Sequence, residues 1–401
     1  MNRAQPAARR PRRPVLRTLL AAAAVLAMLG LALQLGRIDA GLGRPSGPER
    51  LLKSLDASPG ISPEDAATAR RILADRPLDG SAYRVLAQVA GQSGQATEAG
   101  QAYRTAVARW PRDRVARAAL AEQAFLAGDI ETGLEHVDAL LRLAPASRAE
   151  MLGVLMPALG DPRLRQGLAA RLAADPPWRG ALPAALTAED TDPAAAEALL
   201  AALAARQALP PAEMQARIVV LDRLGRAGQA RQLWVDGLAA EDRAVAGLVH
   251  DGGFERPALS GGYAWQYQVP AGVGLGHDQA QPFAGKASLA LEFGGRAVQF
   301  SGVRQVLALA PGRYRLQLAA RNQVDSTRPF LWRIGCNGQP GAPLAELEVP
   351  PSPQWQTLAA AFEVPAACTA QTLQLLHPAR SMSERQLRGS LAFDAVEIAP
   401  L

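Results

Sequence analysis

Cysteine is scarce in this chain, two in 401 residues. That excludes a disulfide-dense scaffold and a zinc-finger array. Aromatics make up only 5%, and lysine is limited to Lys53 and Lys286. A surplus of one charge is lacking too, once the N-terminal tail is set apart. The formal net charge is +6, yet Arg3, Arg9, Arg10, Arg12, Arg13 and Arg17 lie in an acid-free tail, and the other 37 basic residues balance 37 acidic ones. Nucleic-acid binding needs a basic stripe on the folded body to displace phosphate counterions, so it is set aside. Catalytic signatures are missing as well: there is no His-Glu-x-x-His, Gly-x-Ser-x-Gly, phosphate loop or Cys-x-x-Cys. Gly272-Val273-Gly274-Leu275-Gly276 mimics a dinucleotide motif, but no helix follows, and it reads as a loop between strands. A glycosidase pair of carboxylates is set by spatial separation, and nothing in the spacing points to one. The expectation is a protein that is not an enzyme.

What is present is an ordinary folded composition, 49% apolar and 20% charged. It excludes a wholly disordered chain, a collagen and a multi-span membrane protein. The length predicts two or three domains. Behind the arginine tail (1–17) runs an apolar stretch, Thr18 to Gly36. As a helix it would span about 28 Å, close to a bilayer's hydrocarbon core. The flanking arginines should stay cytoplasmic, which puts everything after Arg37 across the inner membrane, in a bacterial periplasm. A cleaved signal needs a shorter apolar region and a small-x-small site, and Ile38-Asp39-Ala40 is a poor one. A lipoprotein needs a cysteine soon after the run, and none precedes Cys336. The length therefore favours a retained anchor at 18–36, and both readings place the body outside the cytoplasm.

A Gly/Pro/Ser-rich linker, 37–62, leads into an Ala/Leu/Arg-rich segment, 63–249, with helical periodicity. Pro77, Pro111 and Pro145 recur every 34 residues. Tyr83, Leu86, Ala87 and Ala90, then Gly94, then Ala99, Tyr103 and Ala106, describe a helix–turn–helix unit, and Leu120, Ala121, Ala124, Gly128, Gly133 and Val137 repeat it. These residues resemble the tetratricopeptide repeat, and the resemblance implies a helical-repeat solenoid of six to ten helices with a groove for a protein partner. Arg84, Gln88, Arg117 and Glu122 are the groove candidates. His136 has no second ligand at helical spacing and reads as structural.

From Asp251 the composition changes. The last 151 residues hold 13 of 19 aromatics and both cysteines. Alternation replaces helical period: Tyr314, Leu316, Leu318 and Ala320 share one face, as do Phe330, Trp332, Ile334 and Cys336. Such strands between Pro/Gly turns predict an antiparallel sandwich over 250–401. The ordered words Asp251-Gly252-Gly253-Phe254-Glu255, Gly285-Lys286-Ala287-Ser288-Leu289, Ala310-Pro311-Gly312-Arg313-Tyr314, Trp355 and Phe393-Asp394-Ala395-Val396 resemble the jelly-roll carbohydrate-binding modules of the family 4/9 type, of galactose-binding-like architecture. The fold class is thus multidomain, an all-α helical-repeat solenoid followed by an all-β antiparallel jelly-roll sandwich.

The resemblance implies a structural calcium held by the Glu255 carboxylate, the Lys286 carbonyl and the Asp394 carboxylate, with other oxygens completing the shell. Alternation slips by one residue between Phe393 and Val396, as a bulge at Asp394 requires. It also implies polysaccharide binding by aromatic faces and polar neighbours. The candidates are Tyr267, Trp332 and Trp355 with Gln299, Arg321 and Asn322, and Tyr263 and Trp265 stand beside them, while Trp265 and Trp332 lie on apolar faces that read more often as core. Cys336 and Cys368 should oxidise to a disulfide outside the cytoplasm, the alternative being two buried thiols. The expected function is that of a periplasmic scaffold whose repeats bind a protein and whose sandwich contacts glycan, in a layout that fits exopolysaccharide assembly or export. The alternatives are a sandwich that serves as a protein-interaction or spacer module, and an unrecognised polysaccharide hydrolase.

Overall fold

The computed structural model describes residues 62–338 and 341–401. The tail, the apolar run at 18–36 and the linker before Ser62 lie outside them. Among the described residues no helix is long and apolar enough to cross a membrane. The chain divides into two compact units at Ala216/Arg217.

The first unit is helical. Its leading helices are α1 (Pro63–Asp75), α2 (Gly80–Gln92), α3 (Ala96–Arg109), α4 (Arg114–Leu126) and α5 (Ile130–Leu143). The bounds of α4 and α5 are those of α2 and α3 shifted by 34 residues at every end. Their caps repeat too. Asp79 accepts the N–H of Ser81 and Ala82 at the start of α2, and Asp113 that of Ala116 at the start of α4. Both satisfy amides the helix itself leaves unpaired. Gly94 and Gly128 close the two inter-helix turns at φ 75° and 76°, a conformation that strains other residues. Ala87 packs with Ala99, Tyr103 and Ala106 and with Ala116 and Leu120, so small residues set the helix spacing.

Past Ala144 the period gives way to α6 (Arg148–Leu155), α7 (Pro162–Ala173), α8 (Leu182–Thr187) and α9 (Pro193–Ala204), with a 3-10 turn before each of the first three. Polar pins hold this stretch. Trp178 Nε1 donates to Asp138 Oδ1 at 2.7 Å, and the buried Arg179 meets Glu213 through two bonds of 2.5 and 2.8 Å.

The unit division falls within α10 (Pro211–Arg223), which is followed by α11 (Ala227–Asp236) and α12 (Ala240–Ala244). The twelve helices among the described residues exceed the expected six to ten because pieces as short as α8 and α12 break the pattern. The aromatic-rich stretch begins at 254, yet the second packing unit begins at Arg217. Its Ile218, Leu221, Ala230 and Trp234 bury against Tyr263 and Ala264. The Tyr263 hydroxyl donates to Asp222 Oδ1 at 2.6 Å and to the Ala227 carbonyl at 3.0 Å.

Among the described residues the sandwich has ten strands: β1 (Gln266–Tyr267), β2 (Val273–Asp278), β3 (Ser288–Ala297), β4 (Val303–Leu307), β5 (Gly312–Asn322), β6 (Phe330–Cys336), β7 (Ala345–Val349), β8 (Ser352–Val364), β9 (Gln371–Leu376) and β10 (Gln386–Pro400). Sheet I runs β1-β4-β9-β6-β7 and sheet II β2-β3-β10-β5-β8, with antiparallel pairing throughout. Alternate residues of each strand fill one core, among them Leu289, Leu316, Phe330, Leu373 and Phe393. The glycine-rich word at 272–276 is not a loop. It enters edge strand β2, where Gly274 and Gly276 pair with Glu292 and Ala290. Register slips between Asp394 and Glu397, and Ala395 takes φ 49°, which is the bulge the alternation required. Gly252 admits no side chain, since a Cβ would stand 1.9 Å from the Val396 carbonyl oxygen.

Cys336 and Cys368 form a disulfide with Cα atoms 5.4 Å apart. It ties the end of β6 to the turn before β9.

Candidate functional site

Two of the six residues proposed for sugar contact come together, on the outer face of sheet II. Trp355 of β8 is half-buried, and the Arg321 guanidinium of β5 lies 5.2 Å from its ring centroid. The 279–287 loop completes the cluster. Phe283, 47% exposed, tilts against Trp355 with centroids 5.9 Å apart, and Trp355 Nε1 donates to the Gln281 carbonyl at 3.2 Å. Arg321 in turn donates to Gln281 Oε1 at 2.6 Å and Asp278 Oδ2 at 3.1 Å. Asp278 accepts the N–H groups of Ala280 and Gln281 and faces Arg321, so its carboxyl is held below the ordinary range. These bonds order Arg321 over the ring and engage both of its terminal nitrogens.

The other four are elsewhere. Trp332 is 0% exposed, packed edge-on against Trp265 and Phe393 in the core, and its Nε1 meets no acceptor. A ring with no free face cannot stack on a sugar. Asn322 is buried too, donating to the Val349 carbonyl and accepting the Val324 N–H, which makes it a strand-end brace. Tyr267 leans on the core, and burial pushes its hydroxyl pKa up. Gln299 is exposed between β3 and β4 and bonds to none of the others.

Sheet I carries a polar row that motif reading missed. Cross-strand register lines up Gln266, Arg304, Gln374, Arg333 and Glu346, one residue from each of its five strands. The row lies on the outer face, because the neighbours Val303, Gln305, Trp332, Ile334, Leu373 and Leu375 point into the core. Arg304, Gln374 and Arg333, with Thr372, Asn337 and Leu344, line a groove of about 570 Å³. Arg304 Nε donates to Gln266 Oε1 at 2.9 Å, Arg333 pairs with Glu346 at 2.6 Å, and Gln374 Nε2 donates to the Ser301 carbonyl at 2.9 Å. The floor is thus a set of positioned amides and guanidiniums. Gly335 and Cys336 belong to the same wall, so the disulfide fixes one edge of the groove.

The three residues assigned to calcium do converge. Glu255 Oε1 accepts the Lys286 N–H at 2.7 Å. Asp394 Oδ2 accepts the N–H groups of Phe283 and Ala284, and Oδ1 that of Ala395. Burial raises the Asp394 carboxyl pKa, and the neighbouring Glu255 charge adds to this. Neither carboxylate has an ion-pair partner among the described residues, and both are held by backbone N–H groups. Gly285, at φ 62°, leaves room for Glu255, since a Cβ there would stand 1.8 Å from Oε1.

In the helical unit, Arg84 is not a groove residue. It is buried and paired with the N-capping Asp113 at 3.3 Å. Gln88, Arg117 and Glu122 stay partly exposed. Arg117 Nε donates to the Pro111 carbonyl at 2.6 Å, and partial burial raises the Glu122 carboxyl pKa. Among the described residues, no group of three or more His, Cys, Asp and Glu side chains is placed to hold a metal ion.

No protein-family model matches the chain, and no curated protein matches it. Among solved structures it is similar to a CBM4 domain at 15% identity over 38% of this chain and 99% of that chain, with a TM-score of 0.29. It is similar to the CBM22-1 xylan-binding domain from Paenibacillus barcinonensis at 16% identity over 37% and 91%, with a TM-score of 0.27. TmCBM61, solved with β-1,4-galactotriose, is similar at 13% over 38% and 96%, with a TM-score of 0.27. Likeness at this level bears on no ligand and no residue role in this chain.

Proposed function

We propose that the second unit is a glycan-binding module whose ligand lies along the outer face of sheet I. One observation carries the reading: Arg304, Gln374 and Arg333, the middle three members of the polar row across sheet I, floor a groove of about 570 Å³. Amide and guanidinium groups held in fixed positions match a hydroxyl-rich ligand at little ordering cost. The test is co-sedimentation of the full chain with insoluble envelope polysaccharide. Gly335 faces the groove with nothing within 4 Å of an added Cβ, so Gly335→Trp fills the groove without disturbing the core. The protein should pellet and the variant should stay in solution. Equal pelleting would move the site elsewhere. The same incubation is expected to release no new reducing ends; their release would make the protein a hydrolase.

A second reading, a protein-interaction module, is favoured by the Phe283–Trp355 pair, since exposed aromatics are enriched at interfaces. Phe283→Ser would then lose a protein partner while keeping polysaccharide.

The rest of the reading is a membrane-anchored periplasmic adaptor, in exopolysaccharide assembly or export. The two hairpins repeated at 34 residues support a tetratricopeptide-type array binding an extended segment of a protein partner, with Gln88, Arg117 and Glu122 as contacts. The disulfide supports an oxidising compartment, and the 18–36 run supports a single-span anchor. A reporter fused after Leu401 should lie outside the cytoplasm; a cytosolic one would overturn this part. Glu255, Asp394 and the Lys286 carbonyl would hold a structural calcium. Calcium added after chelation should then raise the melting temperature of the protein and not of Glu255→Gln, and no rise in either would remove the site.

A further inference from the structure

We infer that the ligand of the sheet I groove is a carboxylated, uronate-type polysaccharide; this rests on the glycan reading above and narrows it. Three features carry the inference. Among the described residues, the charged side chains lining the groove are Arg304 and Arg333, and no carboxylate lines it. Arg333 is already turned to Glu346, which approaches from edge strand β7. Arg304 is not neutralised. Its Nε is spent on Gln266, an uncharged partner, and it has no ion-pair partner among the described residues. That bond holds the guanidinium in place while leaving both terminal nitrogens free, which is the fork geometry that grips a planar carboxylate with two parallel bonds.

The second feature is what the lining lacks. It contains no aromatic ring. A neutral sugar bound mainly by stacking needs such a ring, and the aromatic faces of this unit are in the core or on sheet II. Recognition here must come from hydrogen bonds and charge. The third feature is spacing. Arg304 and Arg333 flank Gln374 on adjacent strands, so their backbones stand about 10 Å apart, two strand separations. A polymer crossing the strands presents acidic groups repeatedly to the unneutralised cation and hydroxyls to Gln374 and Thr372 between the two arginines. Arg304 is solvent-exposed, so the attraction is screened and should weaken with salt.

The test compares polygalacturonate with its fully methyl-esterified form, which keeps the backbone and removes the charge. A neutral galactan and dextran sulfate complete the set. Binding to the full chain is measured at low and high salt, with Arg304→Gln and Arg304→Lys beside it. Polygalacturonate should bind at least about tenfold more tightly than its ester, a margin that fits one charged hydrogen-bonded contact. Arg304→Gln should erase that margin, and the lysine variant should restore part of it. Equal affinity for acid and ester would overturn the inference while leaving the glycan reading standing. So would dextran sulfate binding as tightly as polygalacturonate, or an acid preference that survives in Arg304→Gln. Binding to none of the four polymers would overturn both.

Discussion

Replacing both cysteines, Cys336→Ala with Cys368→Ala, tests the sandwich at the strap beside its groove. The bond closes a loop with a sequence separation of 32. The chain-entropy relation gives about 12 cal/mol/K for a loop of that size, so removal should cost about 3.7 kcal/mol at 25 °C. For a unit of this size each kcal/mol moves the midpoint by roughly 2–4 °C, so melting should fall by roughly 7–15 °C. Urea unfolding of the full chain, followed by the near-ultraviolet signal of the sandwich tryptophans, reads the change directly. The slope with urea should rise as well, since an unfolded chain without the cross-link exposes more surface. Free-thiol counting in denaturant provides the control, and the untreated protein should show none. Two free thiols there, or a stability loss under about 1 kcal/mol in the double variant, would refute the reasoning.

Glu213→Ala should destabilise the helical unit by about 3–5 kcal/mol, because it removes both short bonds of the buried Arg179 and leaves it the 3.6 Å contact to Asp175; Arg84→Ala, which takes a buried guanidinium away from Asp113, should act in the same direction, and denaturant melts check both. Trp332→Phe should change stability by no more than about 1–2 kcal/mol, since the lost ring volume is offset by removing an unsatisfied N–H, while Trp332→Ala should cost about 3–5 kcal/mol. Neither should alter polysaccharide binding while the protein is folded. Burial, the leading cause in each case, lowers the pKa of His136, His250 and His377 below 6.5. The unfolded chain therefore takes up protons first as pH falls through that value, and stability present above it is lost toward the depressed values. Melting temperature should drop between about pH 7.5 and about 5.5, and a flat or rising profile would contradict the assignment.

Much of the architecture was legible in the sequence. The 34-residue proline spacing anticipated helix bounds that repeat at the same offset, and alternation through Arg313–Arg321 and Phe330–Cys336 anticipated β5 and β6. These are local signals, because a repeat or a pleat writes itself into adjacent residues. The site was less legible. Trp332 and Arg333 are neighbours, and pleating sends one to the core, as its apolar face suggested, and the other to the surface, where nothing in the sequence marked it. Arg304, Gln374 and Arg333 lie on three strands far apart in the chain, and only sheet order brings them into one row. Arg84 read as a groove contact because Asp113, its partner, caps a later helix and lies 29 positions on in the chain. The glycines at 272–276 hid an edge strand, since such residues weaken the strand signal without preventing pairing.

The most direct measurement of the central claim is a glycan array probed with the full chain and with Gly335→Trp side by side. The account predicts that the unaltered protein labels a set of polysaccharides, and that the variant, folded by melting temperature, labels none of them. Identical patterns from both proteins, or a blank array from the unaltered one, would contradict it.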